Sequence, residues 1–393
     1  MKKVVIVSAK RTAIGSFQGV LSSLTAPKLG AEAIKAVLGD SKIDFSLVDE
    51  VIMGNVLSAG QGQAPARQAT LFAGLPNKTE ALTINKMCGS GLKAVMLAAQ
   101  AIQCGDADII IAGGMESMSN APYLLSDARN GYRLGHGKLN DSVILDGLWD
   151  VYNDMHMGNC AEICAKDYEL SREMLDEFAV KSYNKAIEAT ISGIFKEEIA
   201  PVTIKSKKGD FTVDEDEEPK NVKFDKIPTL RPAFDKNGVV TAANSSKLND
   251  GAAALLVMSE ETALRLGYTP LVEIVAQASA SKAPVEFTTA PADAIAKVLK
   301  KANLTKDDID IYEINEAFAV VSLAVNKILH LDESKINLNG GAIALGHPIG
   351  ASGARILVTL IYEMIRKNLN LGLASLCIGG GEASALIIKK YNK

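Results

Sequence analysis

Short apolar runs alternate with stretches of helical spacing along most of the chain. In the first third of the sequence the predicted strands are 4–7, 48–55, 82–84 and 107–112, and the predicted helices are 28–38, 65–73 and 92–103. Towards the C-terminus the predicted strands are 309–314 and 372–378, and the predicted helices are 291–302, 317–329 and 353–366. Such alternation indicates βαβ units and predicts an α/β protein with a buried, parallel sheet.

One arrangement of small residues occurs in both halves of the chain. The turn 88–91, a helix, and a strand that ends in glycines at 113–114 have a counterpart in the turn 350–353, a helix, and a strand that ends at 379–381. The same elements in the same order predict the duplication of one α/β module. A chance resemblance between two βαβ units is the alternative.

Residues 119–247 differ from both halves, because they are more polar and contain the acidic run 214–218. We predict an insertion of loops and short helices over one face, with the acidic run in a solvated loop. The predicted division of the chain is therefore 1–118 plus 248–270, 119–247, and 271–393.

Composition narrows the class of protein. The chain has 393 residues, of which 48% are hydrophobic and 22% charged, which excludes disordered, collagenous and disulfide-scaffold classes. A net charge of −4 gives no basic excess, so no nucleic-acid partner is expected. No apolar run approaches about 18 residues, so no membrane span is expected. Five widely spread cysteines are typical of free thiols in a reducing compartment and predict a cytoplasmic protein.

Cys88 is a candidate nucleophile because it follows a predicted strand and precedes Gly89-Ser90-Gly91 and an Ala-rich helix. The positive end of a helix dipole and nearby free N–H groups lower the pKa of a thiol and favour its thiolate. Those N–H groups can also hold an oxyanion. A small core cysteine beside a tight turn is the equally weighted alternative.

Three further positions have residue types suited to chemistry. His347 lies between glycines and before a proline, which favours a general base over a core residue, although an incidental histidine in a helix-entry turn is the alternative. Cys377 ends a predicted strand, where ligands of α/β sheets gather, but a structural cysteine is the local default. Asn315 ends another strand, and on local grounds we favour a helix N-cap.

His156, Cys160 and Cys164 repeat at helical spacing and could present three metal ligands on one helix face. A metal site usually requires a fourth ligand, and the neighbouring sequence offers none. We therefore predict a helix-packing face and no metal site.

Four motifs in register resemble those of the thiolases: 85–91, 315–319, 340–348 and 377–381. The resemblance extends from 11–15 almost to the C-terminus, and Asp146-Gly147-Leu148-Trp149 and His156-Met157-Gly158 resemble the short-chain biosynthetic branch of that family. The implied fold is a five-layer αβαβα sandwich of two related halves. The implied assembly is a homotetramer, to which 119–147 would contribute.

The resemblance implies the reversible Claisen condensation of two acetyl-CoA to acetoacetyl-CoA and CoA by a ping-pong mechanism. Cys88 would carry the acetyl group, His347 would take its proton, and Cys377 would be the second acid/base, since a thiol needs only modest tuning for that role. His347 with a water on Asn315 would form one oxyanion site, and the N–H groups of Cys88 and Gly379 the other. No metal or cofactor is implied.

The same resemblance implies a CoA site. Ser246 would hydrogen-bond the pantetheine, Lys220 stands where an arginine near the adenine is usual, and Phe287 replaces a methionine beside the acyl pocket. The residues expected to contact CoA or its acyl group are Leu148, His156, Met157, Lys220, Ala242, Ser246, Phe287, Ala317 and Phe318. A 3-ketoacyl-CoA thiolase acting on longer chains is the alternative enzyme, and a non-catalytic acyl- or lipid-binding protein of the same fold is the alternative from another class.

Overall fold

The computed structural model describes residues 2–207 and 209–392. Within them a continuous path of nine strands forms the main sheet. These strands are β1 (Val4–Thr12), β2 (Glu50–Gly54), β3 (Glu80–Ile84), β4 (Ile109–Ser117), β5 (Asn249–Ser259), β6 (Val272–Ser281), β7 (Ile311–Ile314), β8 (Leu371–Ile378) and β9 (Glu382–Lys390). Short strands outside this path are Gly15–Ser16, Tyr123–Leu124, Asn140–Asp141, Trp149–Asp150, Met155–His156, Ile199–Ala200, Val202–Ile204 and Phe211–Val213.

The strands lie in the order β7-β8-β9-β6-β1-β5-β4-β2-β3. Only two residue pairs, Val5–Glu273 and Ile6–Val272, join β1 to β6, so this narrow seam separates two sheets, one for each half. The expected parallel sheet is wrong as a description of the whole. Among the nine strands, parallel pairing is confined to β2 with β3 and β4, and to β7 with β8; the short strand Ile199–Ala200 also pairs with β1 in parallel. The antiparallel strands β5, β6 and β9 lack the alternating helix that a parallel crossover needs, and the sequence pattern did not predict them.

The helices complete a five-layer αβαβα arrangement, as expected. The helices are α1 (Ala26–Ser41), α2 (Pro65–Phe72), α3 (Ser90–Cys104), α4 (Met157–Asp167), α5 (Arg172–Ile191), α6 (Glu260–Arg265), α7 (Ala290–Ala302), α8 (Ala319–Leu329), α9 (Ala342–Leu345) and α10 (Ile349–Arg366). Helices α3 and α10 pack against each other between the two sheets, with apolar side chains from both halves around them. Helices α1 and α2 cover the outer face of the first half, and α7 and α8 cover that of the second.

The two central helices approach each other through a reciprocal pair of glycines. A Cβ on Gly91 would lie 2.7 Å from the backbone nitrogen of Ala354, and a Cβ on Gly353 would lie 2.4 Å from that of Leu92. Each half therefore presents the same small residue to the same place on the other. This two-fold relation supports the predicted duplication.

Gly113 and Gly114 were expected to end a strand, and that expectation is wrong, because β4 continues through them to Ser117. A Cβ on Gly113 would lie 2.0 Å from the carbonyl oxygen of Ala253, and one on Gly114 would lie 2.0 Å from that of Gly350. These glycines allow a neighbouring strand and the start of α10 to approach the sheet.

The insertion contains more regular structure than expected, since α5 alone has 20 residues. Its acidic run is solvated only at Asp214 and Glu215, which are exposed. Asp216 is buried and accepts from both terminal nitrogens of Arg11 at 2.7 and 2.9 Å and from the backbone of Ile14 at 2.8 Å, and Glu218 is also buried. Because Arg11 cannot lose its charge inside the protein, the run supplies one of the two carboxylates that pair with it, and Glu198 supplies the other at 2.6 Å. The predicted domain boundaries remain a prediction.

Among the described residues, no helix has the length and apolar character needed to cross a membrane.

Candidate active site

A cavity of about 570 Å³ lies where the two halves and the insertion meet. Its polar wall follows the carboxyl ends of strands β3 and β8, the usual location of ligands in α/β sheets. The predicted site residues that line it are Cys88, Leu148, His156, Met157, Ala242, Ser246, Phe287, Ala317, Phe318, His347 and Gly379. Three predicted residues are not part of its lining: Asn315 and Cys377 are buried next to lining residues, Asn315 beside His347 and Cys377 near Cys88, and Lys220 is exposed and pairs with Glu215.

The backbone around Cys88 is a strained turn. Met87 has a φ of 45°, in the left-handed region that side chains disfavour. The hydroxyl of Ser90 accepts from the Lys86 nitrogen at 2.8 Å and donates to the Met87 carbonyl at 2.7 Å, which holds the turn closed. The half-buried Cys88 thiol is thereby presented to the cavity immediately before α3.

The expectation of a depressed thiol pKa at Cys88 is wrong. Burial raises its pKa from 9.0 to about 11, and the carboxylate of Glu116 adds to the rise. The backbone N–H groups of Gly379 and of Cys88 itself point at the sulfur and act in the opposite direction. Because desolvation outweighs these donors, the resting group is a neutral thiol.

His347 faces the same cavity with a free ring nitrogen. Its backbone N–H donates to Asn249 at 2.9 Å, and its Nδ1 lies 2.6 Å from the hydroxyl of Ser352. That hydroxyl is also 3.0 Å from the Pro348 carbonyl, which can only accept. A proton on Nδ1 therefore completes a chain from His347 through Ser352 to Pro348, and Nε2, which has no hydrogen-bond partner among the described residues, is left as a proton acceptor. Burial, with a contribution from Arg355, lowers the His347 pKa to about 3, so the ring is neutral at rest.

Asn315 is not the helix N-cap favoured on local grounds, because α8 begins at Ala319 with Phe318 as its N-cap. Its side chain is buried, with Nδ2 3.5 Å from His347 Nδ1 and Oδ1 3.4 Å from Arg355. Arg355 and its partner Glu313 are likewise buried, 3.8 Å apart. The sequence analysis missed Arg355, which holds Asn315 against the back of the imidazole.

Cys377 is fully buried at the end of β8. Burial raises its pKa well above 9.0, and Cys88 and Cys164 are near enough to raise it further. The expectation that this thiol needs only modest tuning is therefore wrong for the resting protein. Two neighbouring thiols in a desolvated site favour their neutral forms.

An aromatic strip forms much of the apolar wall. His156 stacks on Phe234 with ring centroids 4.8 Å apart, and Phe318 meets Phe234 and Phe287 edge to face at 6.2 and 6.4 Å. His156 also caps α4, accepting from the Gly158 nitrogen at 3.0 Å. Phe234 was missed because its polar neighbours in the sequence show no periodicity.

The backbone N–H of Ser246 donates to the Ala317 carbonyl at 2.9 Å. This bond joins the segment that contains Ser246 to the segment that contains Ala317 and Phe318. Beside Ser246, the side chain of Lys247 is partly buried among polar and aromatic neighbours. Its amine contacts the Tyr183 hydroxyl, lies 3.0 Å from the Ile343 carbonyl and sits over the Tyr183 ring. Burial lowers the Lys247 pKa.

Cys160 and Cys164 are buried in the core on one face of α4, which confirms the predicted packing face. No group of three or more histidine, cysteine, aspartate or glutamate side chains is arranged to hold a metal within residues 2–207 and 209–392.

Comparisons with known proteins find matches over almost the whole length of this chain. Residues 4–261 match the thiolase N-terminal domain and residues 268–390 the thiolase C-terminal domain. The chain is 55% identical to the acetyl-CoA acetyltransferase of Cupriavidus necator over 99% of this chain and 100% of that protein. It is also 55% identical to the acetyl-CoA acetyltransferase of Escherichia coli over 100% of both chains.

A mitochondrial acetyl-CoA acetyltransferase A of Xenopus laevis is 56% identical over 99% of this chain and 92% of its own length. Among solved structures, the crystal structure of the Bacillus anthracis acetyl-CoA acetyltransferase superposes with a TM-score of 0.97 at 42% identity, covering 100% of this chain and 99% of that one. By sequence and by fold, this chain belongs to the thiolase family.

Proposed function

We propose that this protein is an acetyl-CoA C-acetyltransferase, which condenses two acetyl-CoA reversibly to acetoacetyl-CoA and CoA. The observation that carries the proposal is the meeting, in one cavity, of the Cys88 thiol, the unpartnered Nε2 of His347 and the N–H of Gly379. The names of full-length relatives support the choice of acetyl transfer.

In the first half-reaction, the Cys88 sulfur attacks the thioester carbonyl of acetyl-CoA while His347 Nε2 takes the thiol proton. The carbon–sulfur bond to CoA then breaks, and the departing CoA thiolate takes a proton from the thiol of Cys377. The products are acetyl-Cys88, free CoA, an imidazolium at His347 and a thiolate at Cys377. Splitting the reaction through a covalent intermediate replaces one difficult step by two easier ones.

In the second half-reaction, the Cys377 thiolate removes a proton from the methyl group of a second acetyl-CoA. The resulting enolate attacks the carbonyl of acetyl-Cys88, and acetoacetyl-CoA forms as the bond to the Cys88 sulfur breaks. The imidazolium at His347 returns its proton to that sulfur. Both thiols and the imidazole are again neutral, which agrees with the raised thiol pKa values and the lowered His347 pKa at rest.

Charge develops on a thioester oxygen in both steps. The N–H groups of Cys88 and Gly379, which hydrogen-bond to the Cys88 sulfur, would hold the oxygen of the acetyl group bound there. His347 and a water on Asn315 would hold the oxygen of the second thioester. Each donor of this kind contributes about 3 kcal/mol to stabilisation of the transition state.

The apolar strip of His156, Phe234 and Phe318 suits the pantetheine arm, with Ser246 as a polar contact. Phe287 is buried in the same wall and would limit the acyl group to a short one. Large apolar side chains are also exposed on the insertion, at Tyr123, Leu125, Tyr132, Leu134, Leu139, Ile144, Leu145, Val151 and Tyr152. Exposed apolar residues at this density mark interaction surfaces, and they support a homotetramer. A cytoplasmic location remains part of the proposal.

Incubation with acetyl-CoA, followed by a quench and peptide mass spectrometry, tests the nucleophile. We expect one acetyl group on the peptide that contains Cys88 and none in the Cys88→Ala variant. Rates of thiolysis of acetoacetyl-CoA and of a medium-chain 3-ketoacyl-CoA then test chain length. Faster cleavage of the longer substrate would identify a 3-ketoacyl-CoA thiolase instead, and CoA binding without any acetylation would contradict catalysis.

A further inference from the structure

Glu116, near the end of β4, is a fully buried carboxylate surrounded by N–H donors. Its Oε2 accepts from the backbone nitrogens of Val56 and Gly350 at 3.0 and 2.9 Å. Its Oε1 accepts from the side chain of Asn55 at 2.7 Å and from the Leu57 nitrogen at 3.2 Å. No lysine or arginine forms an ion pair with it among the described residues, so these four donors are what stabilises its charged form against burial, which raises its pKa to about 7.

The donors come from segments that meet only in the folded protein. Asn55, Val56 and Leu57 follow β2 in the first half, whereas Gly350 is in the first turn of α10 in the second half. A Cβ on Gly350 would lie 2.7 Å from Glu116 Oε2 and 2.8 Å from the Met115 carbonyl. Glycine at this position therefore lets the start of α10 reach the carboxylate.

Gly350 lies three residues after His347, and Pro348 between them limits the freedom of the backbone. A bond that holds the Gly350 nitrogen therefore also restrains the imidazole. Cys88 is close enough to Glu116 for the carboxylate to raise its pKa. Among the groups that face Glu116, Asp250 is a second acid.

We propose that Glu116 is a positioning residue for acyl transfer: by binding the Gly350 N–H and the Asn55–Leu57 turn together, it sets the place of His347 relative to the Cys88 thiol. The inference deepens the proposed function and rests on it. A displacement of about 1 Å at a reacting group can reduce a rate about 100-fold, so the contact is large enough to matter.

The test compares Glu116→Gln and Glu116→Asp with the parent protein. Glu116→Gln keeps the shape of the side chain but removes its charge. It also replaces one acceptor oxygen by an NH2 group, which cannot accept from the N–H that faces it. Glu116→Asp keeps the charge but is too short to reach all four donors. Glu382→Gln is the matched control, because Glu382 has the equivalent place in the second half and forms a partly exposed pair with Lys86.

Two readouts on Cys88 are measured in each protein at a temperature where circular dichroism shows it to be folded. One is the rate of acetylation by acetyl-CoA in a rapid quench, together with KM. The other is the pH profile of alkylation by iodoacetamide, which needs only the thiolate and therefore does not depend on the proposed acyl transfer.

For Glu116→Gln we expect acetylation to fall about 100-fold at unchanged KM, while the alkylation profile moves to lower pH because a negative charge near the sulfur is gone. For Glu116→Asp we expect slower acetylation with an unchanged alkylation profile. Glu382→Gln should match the parent in both. A loss of structure would also expose the thiol, lower its pKa and slow acetylation, so the shift is interpreted only in a variant that circular dichroism shows to be folded. Glu116→Asp, which keeps the charge, separates the loss of position from the loss of charge.

Parental acetylation rates in both Glu116 variants would overturn the inference, as would an unchanged alkylation profile in Glu116→Gln. If Glu116→Gln does not fold, the Glu116→Asp result decides alone. A parent protein that is alkylated but never acetylated would instead refute the proposed function, and the two failures are thereby distinguished.

Discussion

The two helix-entry turns at the centre of the molecule have the same small-residue pattern and do different work. Before α3, the hydroxyl of Ser90 bonds to backbone atoms of Lys86 and Met87 and shapes the turn that presents Cys88. Before α10, the equivalent Ser352 bonds to His347 Nδ1. One serine holds the backbone of the nucleophile and the other orients the base, so a repeated module has supplied two unlike catalytic parts.

The acidic residues that follow the two glycine runs, Glu116 and Glu382, also differ. Glu116 crosses to the second half and holds Gly350, whereas Glu382 crosses to the first half and pairs with Lys86. The first contact is buried and the second is partly exposed. Burial makes the difference, because an exposed ion pair contributes about 0–1 kcal/mol, whereas loss of one partner from a buried network costs several times more.

Among changes in the two turns, removal of the base His347 should reduce the rate of acetylation most. His347→Ala is expected to slow acetylation of Cys88 about 1,000-fold, within the range for loss of a general base, with little change in CoA affinity. A rapid-quench assay and CoA titration measure the two quantities. His330→Ala is the control, since His330 is exposed at the end of α8. A loss below about 10-fold would assign proton transfer to another group.

The next largest effect comes from the protonation state of the Cys88 thiol in the first turn. With a pKa of about 11 in place of 9.0, the thiolate of Cys88 is scarce at neutral pH, and its fraction grows as the pH rises towards 11. Alkylation by iodoacetamide should therefore accelerate over that range. Mass spectrometry of the Cys88 peptide at each pH measures it, with Cys88→Ala as the blank. A plateau reached already near neutral pH would show that the dipole of α3 outweighs burial.

Substitution of Ser352 should mainly reduce activity, whereas substitution of Ser90 should mainly reduce stability. Ser352→Ala removes a bond that stabilises the imidazolium, worth about 1.5–3 kcal/mol for a charged partner, so acetylation should slow roughly 10- to 100-fold. Ser90→Ala should chiefly lower the free energy of unfolding, by about 1–3 kcal/mol, because the Lys86 nitrogen loses its acceptor. Rapid quench and urea unfolding measure both variants. Equal effects of the two variants on each quantity would refute the division of work.

The smallest expected effect concerns the glycines of the two turns. A Cβ on Gly350 would meet the Glu116 carboxylate and a backbone carbonyl, whereas a Cβ on Gly89 would chiefly meet the flexible end of Ile378 at 2.3 Å. Gly350→Ala should therefore cost about 1–3 kcal/mol through overpacking, and Gly89→Ala less. Urea unfolding of the pair measures the difference. A larger loss for Gly89→Ala would show that the first turn is the more rigid.

The local sequence pattern predicted several of the residues that meet in the candidate site. Cys88, His347 and Gly379 stand in segments of unusual small-residue content, and the structure brings all three to one cavity. The repeated turn also predicted the two-fold relation of α3 and α10. Ser352 could have been found in the same way, as the counterpart of Ser90, and Arg355 as the single charged residue in 349–362, whereas the neighbours of Phe234 contain no such signal.

Other features depended on contacts between distant parts of the chain. Asp216 is buried because Arg11 needs a carboxylate, although its neighbours in the sequence are typical of a solvated loop. Asn315 has the local features of an N-cap, yet it turns towards His347 because Arg355 lies beneath it.

The sequence by itself determined the helices and strands of the two βαβ repeats, where small residues permit close approach, and which side chains can act as nucleophile and base. Those properties depend on near neighbours and on residue chemistry. The tertiary structure decided the antiparallel direction of β5, β6 and β9, the passage of β4 through its glycines, and the neutral state of Cys88. The reason is that strand direction and desolvation arise from groups far apart in the chain, whose packing a local pattern does not record.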